Sequence, residues 1–425
     1  MNRRIRVAAA LMGLVALAGM SACGRDDGGG TGDEPTHQEV SEGKASGTLT
    51  MWAMGTEGEK LPDLVKKFEA DNPDVTVEVT AIPWDSAHDK FTAAIAAGTT
   101  PDLAMVGTTW MGEFIGLGAL DPTPEMIDPS KFFEGAQATT VVDETSYGVP
   151  WYVETRLAFY RTDIAEKAGI TEAPTTWEGL KDMAKAMQEK GGSKWGISLQ
   201  PGATGSWQSV VPFMWSNGGT LMNDDMSEFT FDEEANVEAL AYYQSFFTDG
   251  IANKSPAQGT TEADFASGDA PMFISGPWMM GAVEAAGGEG FADKYDVMVM
   301  PEKEMSASFV GGSNLGVFKE SENRDAAWKL VDFLTTDATQ VEWFGMSTDL
   351  PSVKSAWDDE ALSGNEKLAK FGTQLETALA PPPVQTWEQV AASLDAQVEK
   401  VTKTGTDPAE ALKTVQQEAT AIGIG

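Results

Sequence analysis

The chain has 425 residues, with 29 basic and 65 acidic side chains and a formal net charge of −36. A protein this acidic is repelled by nucleic acid, so we predict no nucleic-acid partner. One cysteine and two histidines are too few for a disulfide framework or a His-rich zinc site, and we therefore predict no metal and no cofactor.

The N-terminus has the layout of a secretory signal peptide. Three arginines precede a short apolar stretch at 7–20, and two small residues follow it directly before Cys23. The apolar stretch is shorter than the ~20 residues that a membrane-spanning helix needs. Residues 20–23, Met-Ser-Ala-Cys, resemble a bacterial lipobox, although Met stands where Leu or Val is usual. We predict a signal peptide at 1–22, and a lipid attached to the Cys23 thiol after the leader is removed.

The segment 23–46 is rich in Gly, Asp, Glu, Ser and Thr and has almost no large apolar residues. Such a stretch buries too little surface to offset its ordering entropy, so it is predicted to be a flexible tether. The rest of the chain is longer than one hydrophobic core usually serves, which predicts two lobes.

Strand and helix patterns alternate in the first part of the body. Strands are predicted at 48–52, 75–79 and 102–106. Apolar residues at helical spacing predict a helix over 61–68, and a second helix over 86–97 ends at a glycine. The alternation predicts an α/β fold with a parallel sheet covered by helices on both faces.

Further helices are predicted from their starts. Capping-box patterns occur at 175–178 and 386–389, and Asp-Pro at 407–408 opens the last helix. Apolar spacing predicts another helix over 327–334. Three prolines at 381–383 form a rigid extended joint before the last two helices.

Short motifs recur along the body in a fixed order. They are Leu49-Thr50-Met51-Trp52, Phe68-Glu69-x-x-Asn72-Pro73-x-Val75, Ala97-Gly98-x-x-Pro101-Asp102-Leu103, Gly148-Val149-Pro150, Tyr160-Arg161-Thr162-Asp163, Pro174-Thr175-Thr176-Trp177, Trp215-x-x-Gly218-Gly219, Phe265-x-x-Gly268-x-x-x-Met272, Ser275-Gly276-Pro277-Trp278 and Gly311-Gly312. Each motif is weak alone, and their joint order and spacing are specific. Together they resemble the extracellular solute-binding proteins of bacterial ABC importers, in the sugar-binding branch that includes maltose-binding protein.

The resemblance implies two discontinuous α/β lobes that close over a sugar, with no bond chemistry. Hinges are then expected near 154–157, 309–312 and 347–350. The implied lobes are an N-terminal one, 47–155 plus 312–347, and a C-terminal one, 156–311 plus 348–425. The resemblance also implies that the protein delivers its ligand to the permease subunits of the importer. We predict that it is a monomer.

Tryptophans are the candidate sugar-stacking residues, because the C–H faces of a pyranose ring pack on aromatic planes. Trp278, after Gly-Pro, matches the ring-stacking tryptophan of the family. Trp387 matches a second stacking position, Trp207 lies in a glycine-bearing loop, and Trp110 follows the third strand. For each of them, packing in a core is the alternative.

Acidic side chains beside the strands are the candidate hydrogen-bond partners of sugar hydroxyls. Glu57 and Asp85 follow the first and second strands, where open α/β sheets bind ligands. Tyr152 and Glu154 match a Tyr-x-acid element that contacts disaccharide in trehalose- and maltose-type relatives. Arg156 either binds the ligand or braces the hinge.

Glycines at 311–316 superficially suggest a phosphate-binding loop. The segment lacks the Lys-Ser/Thr ending and the strand–loop–helix setting of that motif. Hinge flexibility is the preferred interpretation, and Gly311 and Gly312 are included among the predicted ligand-binding residues.

We predict a receptor for a neutral di- or oligosaccharide, with an α-glucoside favoured, anchored to the outer face of the cytoplasmic membrane. Two alternatives stay open. One is an exported glycosidase or lyase that uses two carboxylates, such as Glu57 and Glu154, as acid and base. The other is a receptor of the same fold for a polyol phosphate, a peptide or a metal chelate.

Overall fold

The computed structural model describes residues 39–425, so the predicted signal peptide, Cys23 and most of the predicted tether lie outside the described residues. The strands of the described part are β1 (Ser46–Met54), β2 (Asp74–Ile82), β3 (Leu103–Gly107), β4 (Val141–Val142), β5 (Thr145–Ser146), β6 (Val149–Thr155), β7 (Leu157–Arg161), β8 (Met272–Ser275), β9 (Tyr295–Met298), β10 (Ser308–Val317), β11 (Leu350–Pro351) and β12 (Ala378–Leu379).

The helices are mostly short and connect or cover these strands. They are α1 (Gly55–Asp71), α2 (Trp84–Ala97), α3 (Met111–Gly116), α4 (Glu134–Ala138), α5 (Thr162–Lys167), α6 (Trp177–Glu189), α7 (Trp207–Ser216), α8 (Glu234–Thr248), α9 (Thr261–Ser267), α10 (Met279–Gly287), α11 (Arg324–Leu334), α12 (Asp337–Ser347), α13 (Glu360–Ser363), α14 (Glu366–Leu375), α15 (Trp387–Glu399) and α16 (Pro408–Ile422).

The main sheet has the strand order β11-β6-β10-β3-β1-β2, with β12 paired to β10. β1 pairs in parallel with β2 and with β3, as the alternation of strands and helices predicts. β10 enters from a distant part of the chain and runs antiparallel to both β3 and β6. The sheet is therefore mixed: the β1–β2, β1–β3 and β10–β12 pairs are parallel as predicted, and the pairs that β6 makes and the β10–β3 pair are antiparallel.

Local sequence accounts for the helices that flank this sheet. The apolar face predicted for α1 is buried at Leu61, Leu64, Val65 and Phe68. α2 ends at Gly98, whose φ of 62° is a left-handed conformation that favours glycine. The buried faces of both helices pack in the same apolar cluster as the main sheet.

A second, antiparallel sheet has the order β8-β7-β9. The chain passes from the main sheet to this one at Arg156, the single residue between the end of β6 and the start of β7. β10 and β11 lie on either side of β6 at this point. Three segments therefore run side by side where the two sheets meet, at the positions predicted as hinges.

Separate apolar cores support the two sheets. One cluster, which includes Leu49, Met105 and Trp328, packs on the main sheet. A second cluster joins α6, α7, α8, α15 and α16, and a third lies on β7 and β8 around Phe159. The result is an α/β fold of two lobes, whose predicted residue boundaries remain a prediction.

Helix capping agrees with the sequence in one case and differs in two. Asp407 accepts the N–H groups of residues 409 and 410 and caps α16 as predicted. For α6, the capping hydroxyl belongs to Thr176 and not to Thr175. Thr386 makes no side-chain cap at α15, because its hydroxyl donates to the carbonyl oxygen of Gly423 instead.

None of the helices within 39–425 is both long and apolar enough to span a bilayer.

Candidate functional site

The first part of the site forms where β1 ends and β6 passes beside it. β1 ends at Met54, which places Glu57 in the first turn of α1. The Tyr152 hydroxyl on β6 donates a hydrogen bond to Glu57 Oε1 over 3.4 Å. Two of the predicted residues, 95 positions apart in sequence, are thus brought together.

Several carboxylates surround the Tyr152 phenol. Burial raises the pKa of Tyr152 well above its usual value, and the negative charges of Asp349, Glu57 and Glu154 raise it further. Burial also raises the pKa of Asp349 to about 7, with Glu57 adding to the effect. Asp349 Oδ2 accepts a hydrogen bond of 3.0 Å from the indole of Trp343. Sequence reasoning missed Asp349, and its place in the predicted hinge 347–350 was the only sign of it.

Two glycines let β10 approach this group closely. A Cβ on Gly311 would lie 2.6 Å from Glu154 Oε1, and one on Gly312 would lie 2.2 Å from the Tyr152 carbonyl oxygen. Gly312 also has a φ of 118°, which other residues rarely adopt. Both are strand residues, so the phosphate-binding loop that the glycines superficially suggest is not formed.

Arg156 connects the two sheets at their crossing point. Its Nη1 lies 3.2 Å from Glu154 Oε2, and its Nη2 donates to Gln208 Oε1 over 2.8 Å. The guanidinium lies 4.5 Å from the centre of the Trp278 ring and 5.6 Å from that of Phe309. Arg156 therefore braces the crossing and supports Trp278 through a cation–π contact. A contact between Arg156 and a ligand remains a prediction.

Trp278 keeps much of its ring open. It directly precedes α10, and 47% of its surface is exposed. A Cβ on Gly276 would lie 1.9 Å from the indole ring, so the ring folds back over that glycine. Glycine at 276 and the guanidinium of Arg156 together hold an exposed aromatic plane in one orientation.

Trp207 and Trp387 are packed rather than open. They begin α7 and α15, and only 4% and 1% of their surfaces are exposed. Their rings meet edge to face at 5.1 Å, and Trp207 meets Phe309 in the same way. The prediction that Trp207 lies in a loop is wrong, since Asp395 accepts three hydrogen bonds from residues 205–207 and fixes the start of α7. That cap comes from a residue almost 200 positions away and leaves no local signal.

A second aromatic group lies on the side of the main sheet. Trp110 is half-buried, and Trp84 is 40% exposed and meets it edge-on at 5.9 Å. A Cβ on Gly55 would lie 2.7 Å from Trp84, so this ring reaches back to the turn that carries Glu57. Asp85 is exposed and has no hydrogen bond or ion pair with another described residue. Trp84, rather than Asp85, is therefore the residue of this turn that joins the group.

The Trp207–Trp387 pair and the Trp84–Trp110 pair are linked through residues next to them in sequence. Burial raises the pKa of Glu388, directly after Trp387, and the side chain of Thr109, directly before Trp110, opposes that rise. The start of α15 therefore lies against the segment that follows β3. Residues that pack on two separate apolar cores, Trp387 on one and Trp110 on the other, therefore lie next to one another here.

The chemistry of this arrangement is that of recognition. It offers aromatic planes, carboxylates, one phenol and one guanidinium, and these groups suit a ligand with apolar faces and a rim of hydroxyls. Within residues 39–425, no three His, Cys, Asp or Glu side chains are arranged to hold a metal ion.

Comparisons with known proteins agree with this architecture. Residues 53–341 match the family model described as bacterial extracellular solute-binding protein. The sugar-binding protein MalE of Xanthomonas citri superposes with a TM-score of 0.83 at 30% identity, over 88% of this chain and 97% of its own. The GacH receptor of Streptomyces glaucescens, solved unliganded and with acarbose, gives a TM-score of 0.76 at 25% identity, over 89% and 99%.

A relative in Bacillus subtilis, named galactooligosaccharide-binding protein, is 26% identical over 400 residues, which is 90% of this chain and 91% of its own. These relatives are binding proteins, so the prediction of a receptor rather than an enzyme is confirmed, and the family implies a location outside the cytoplasm. The family model covers well over half of the sequence, and the chain belongs to the bacterial extracellular solute-binding proteins.

Proposed function

We propose that the protein is the lipid-anchored receptor of a carbohydrate ABC importer, and that it captures a neutral di- or oligosaccharide, with an α-glucoside favoured. The observation that carries the proposal is Trp278, an exposed aromatic plane held over the Arg156 guanidinium. A preformed aromatic face is what the C–H face of a sugar ring requires. The names of the relatives, which include a maltotriose-binding and a galactooligosaccharide-binding protein, support a sugar of this class.

The charges around the site favour a neutral ligand. Glu57, Glu154 and Asp349 all act on the same phenol, and Arg156 is already paired with Glu154. A phosphate group would meet the repulsion of these three carboxylates, and the guanidinium beside them already lies against Glu154. The same carboxylates accept hydrogen bonds from sugar hydroxyls, so neutral sugars fit the site better than sugar phosphates.

Calorimetry on the purified protein tests the ligand class. Maltose, trehalose, maltotriose and their β-linked counterparts are titrated beside glucose 6-phosphate and a short peptide. We expect a neutral sugar to bind and to raise the melting temperature by mass action. Tight binding of the phosphate or the peptide, without binding of any neutral sugar, would refute the proposal.

The proposed mechanism is closure of the two lobes over the sugar. The open state is populated without ligand, and a sugar that contacts both lobes shifts the population to the closed state that a permease recognises. The side chains around Tyr152 and Trp278 come from both sides of the crossing at Arg156, as this mechanism needs. Small-angle scattering is expected to show a smaller radius of gyration at saturating sugar, and an unchanged radius contradicts closure.

The membrane anchor is proposed from the leader, the lone cysteine and the polar tether. Cys23→Ser removes the thiol that would carry the lipid. We expect the variant to be released into the medium or to keep its leader, which membrane fractionation and intact mass measure. A Cys23→Ser protein that is cleaved normally and stays in the membrane fraction shows that the anchor lies elsewhere.

A further inference from the structure

Asp349 lies between the end of α12 and the start of β11, at the edge of the proposed site. The residue before it, Thr348, has a φ of 68°, a left-handed conformation that β-branched residues rarely adopt. Strained residues of this kind persist where the surrounding structure holds them, and they cluster at functional sites. The turn at Thr348 therefore sets the position of Asp349 beside β6.

Contacts from two elements fix Asp349 next to the strand that carries Tyr152. Its Oδ2 accepts a hydrogen bond of 3.0 Å from the Trp343 indole, and its backbone N–H donates to Ser347 Oγ over 3.0 Å. The next residue, Leu350, pairs with β6 directly after Tyr152. Both the side chain and the backbone of Asp349 are therefore held in place, by α12 on one side and by β6 on the other.

The charge of Asp349 changes near neutral pH. Burial raises the pKa of Asp349 to about 7, the charge of Glu57 on α1 adds to the rise, and that of Lys60 on the same helix opposes it. Besides burial, the charges of Asp349, Glu57 and Glu154 act together on the Tyr152 phenol. In this pH range the phenol therefore has either two or three negative charges around it.

Other charged groups on the elements packed against Asp349 are paired or exposed. Glu342 on α12 forms an ion pair with Lys67 at 2.6 Å. Lys354 and Asp358, which follow β11, are exposed. Solvent and salt screen such charges strongly. The charges that act on Asp349 are therefore chiefly those of α1.

An ionised Asp349 works against the part of the site that is to accept sugar hydroxyls. The Tyr152 hydroxyl donates to Glu57 Oε1 over 3.4 Å. A third carboxylate beside them repels Glu57 and competes with it for the phenol proton. Closure over a sugar removes water, and the repulsion increases because fewer water molecules screen it. The bound state therefore favours the uncharged carboxyl of Asp349.

We propose that Asp349 is a positioning residue for the sugar, which acts through Tyr152 and Glu57 and permits tight binding only in its uncharged form. This role rests on the proposed function, because it assumes that a sugar contacts those two side chains. It adds a regulation of the same site, since the receptor then holds its ligand more tightly in a mildly acidic medium than in an alkaline one.

The test repeats the calorimetry of maltose, trehalose, maltotriose and their β-linked counterparts at pH 6, 7 and 8. If only the protein with an uncharged Asp349 binds, the apparent Kd increases as that form is depleted, by about ten-fold between pH 6 and pH 8. Binding at pH 7 is then expected to take up about half a proton per sugar. Titrations in buffers of different ionisation enthalpy measure this uptake on the wild-type protein itself.

Asp349→Asn identifies the group that titrates. The Asn side chain keeps an oxygen for the Trp343 indole and stays neutral at every pH. We expect this variant to bind the sugar at pH 8 within about two-fold of its affinity at pH 6, and to take up no proton. His88→Gln is the matched control, because histidines also titrate near neutral pH and the His88 ring lies 5.3 Å from that of Trp110. The control is expected to keep the pH dependence of the wild-type protein.

Each outcome decides one of the two proposals. A sugar that binds equally well at pH 6 and pH 8 refutes the role of Asp349 and leaves the receptor function standing. The same conclusion follows if Asp349→Asn retains the pH dependence, or if His88→Gln removes it. If none of the neutral sugars binds at any of these pH values, the receptor function and the role of Asp349 both fall.

Discussion

Trp328 and Trp278 differ in burial and therefore in the role that a tryptophan side chain has in this molecule. Trp328 on α11 is fully buried, and its indole N–H donates to Asp121 Oδ2 over 2.8 Å. Trp278 is 47% exposed and rests on a guanidinium and a glycine. A buried ring with its polar atom satisfied contributes to stability. An exposed ring held from behind contributes little to a core and is available to a ligand.

The largest expected effect is on the stability of the buried tryptophan's lobe. Trp328→Ala leaves a large cavity in the core of the main sheet and removes the hydrogen bond to Asp121, and we expect a loss of about 3–5 kcal/mol in the free energy of unfolding. Urea unfolding followed by fluorescence and circular dichroism measures it. Sugar affinity under folding conditions is expected to stay within two-fold of the wild-type value. A loss of affinity without a loss of stability would show that Trp328 is not a purely structural residue.

The exposed tryptophan is expected to behave in the opposite way. Trp278→Ala removes a large aromatic contact and is expected to weaken sugar binding by about 2 kcal/mol, as at an aromatic hot spot. The melting temperature should change little, because the ring is outside the apolar cores. Calorimetry and thermal unfolding of the same samples measure both quantities. If Trp278→Ala unfolds the protein or leaves affinity unchanged, then Trp278 is a packing residue.

How much of this contrast the sequence predicts depends on the range of the interactions. The Gly-Pro-Trp motif favours a loop position for Trp278, and the apolar spacing around 327–334 predicts the helix that carries Trp328. Both signals are local. β1, α1 and β2 are predictable from sequence for the same reason, because the periodicity of apolar residues indicates which face of a strand or helix is buried.

Contacts between segments that are distant in sequence cannot be predicted from local patterns. Trp151 follows a proline in a loop-like sequence, yet it lies in β6, fully buried and stacked on Trp343 at 4.7 Å. Trp207 and Trp387, which are predicted ligand contacts, meet each other edge to face, and their positions in sequence do not indicate this contact. In each case the deciding neighbour is far away in sequence, and no local pattern records it.

Asp349 combines the burial of the core with the charge of the site. Its pKa is raised to about 7, mainly by burial, so the folded state favours the neutral carboxyl. Below an unfolded pKa of about 3.9 the group makes no difference to stability, and as pH rises toward 7 the folded state is progressively penalised. We expect Asp349→Asn to raise the free energy of unfolding at pH 8 by on the order of 2 kcal/mol, after solvent screening is allowed for.

The measurement is urea unfolding of both proteins at pH 4, 6 and 8. The gain of Asp349→Asn over the wild-type protein is expected to be near zero at pH 4 and to increase with pH. The Asn side-chain oxygen can still accept the bond from the Trp343 indole, so the substitution removes the charge and keeps the contact. A constant difference across this range contradicts the raised pKa.

The smallest expected effect separates two tryptophans that are equally buried. Trp387, like Trp328, is almost fully enclosed, but its indole N–H has no acceptor among the described residues. Phenylalanine at 387 therefore removes a buried polar group that makes no hydrogen bond, while phenylalanine at 328 removes one that Asp121 accepts. A buried polar group without a partner destabilises the folded state. Removing it from position 387 therefore offsets part of the free energy that is lost with the smaller ring.

We expect Trp387→Phe to change the free energy of unfolding by less than about 1 kcal/mol and Trp328→Phe to lower it by more than that. Equal losses in urea unfolding would show that ring size alone determines the cost, and that the hydrogen bond to Asp121 adds nothing to the stability of the buried tryptophan.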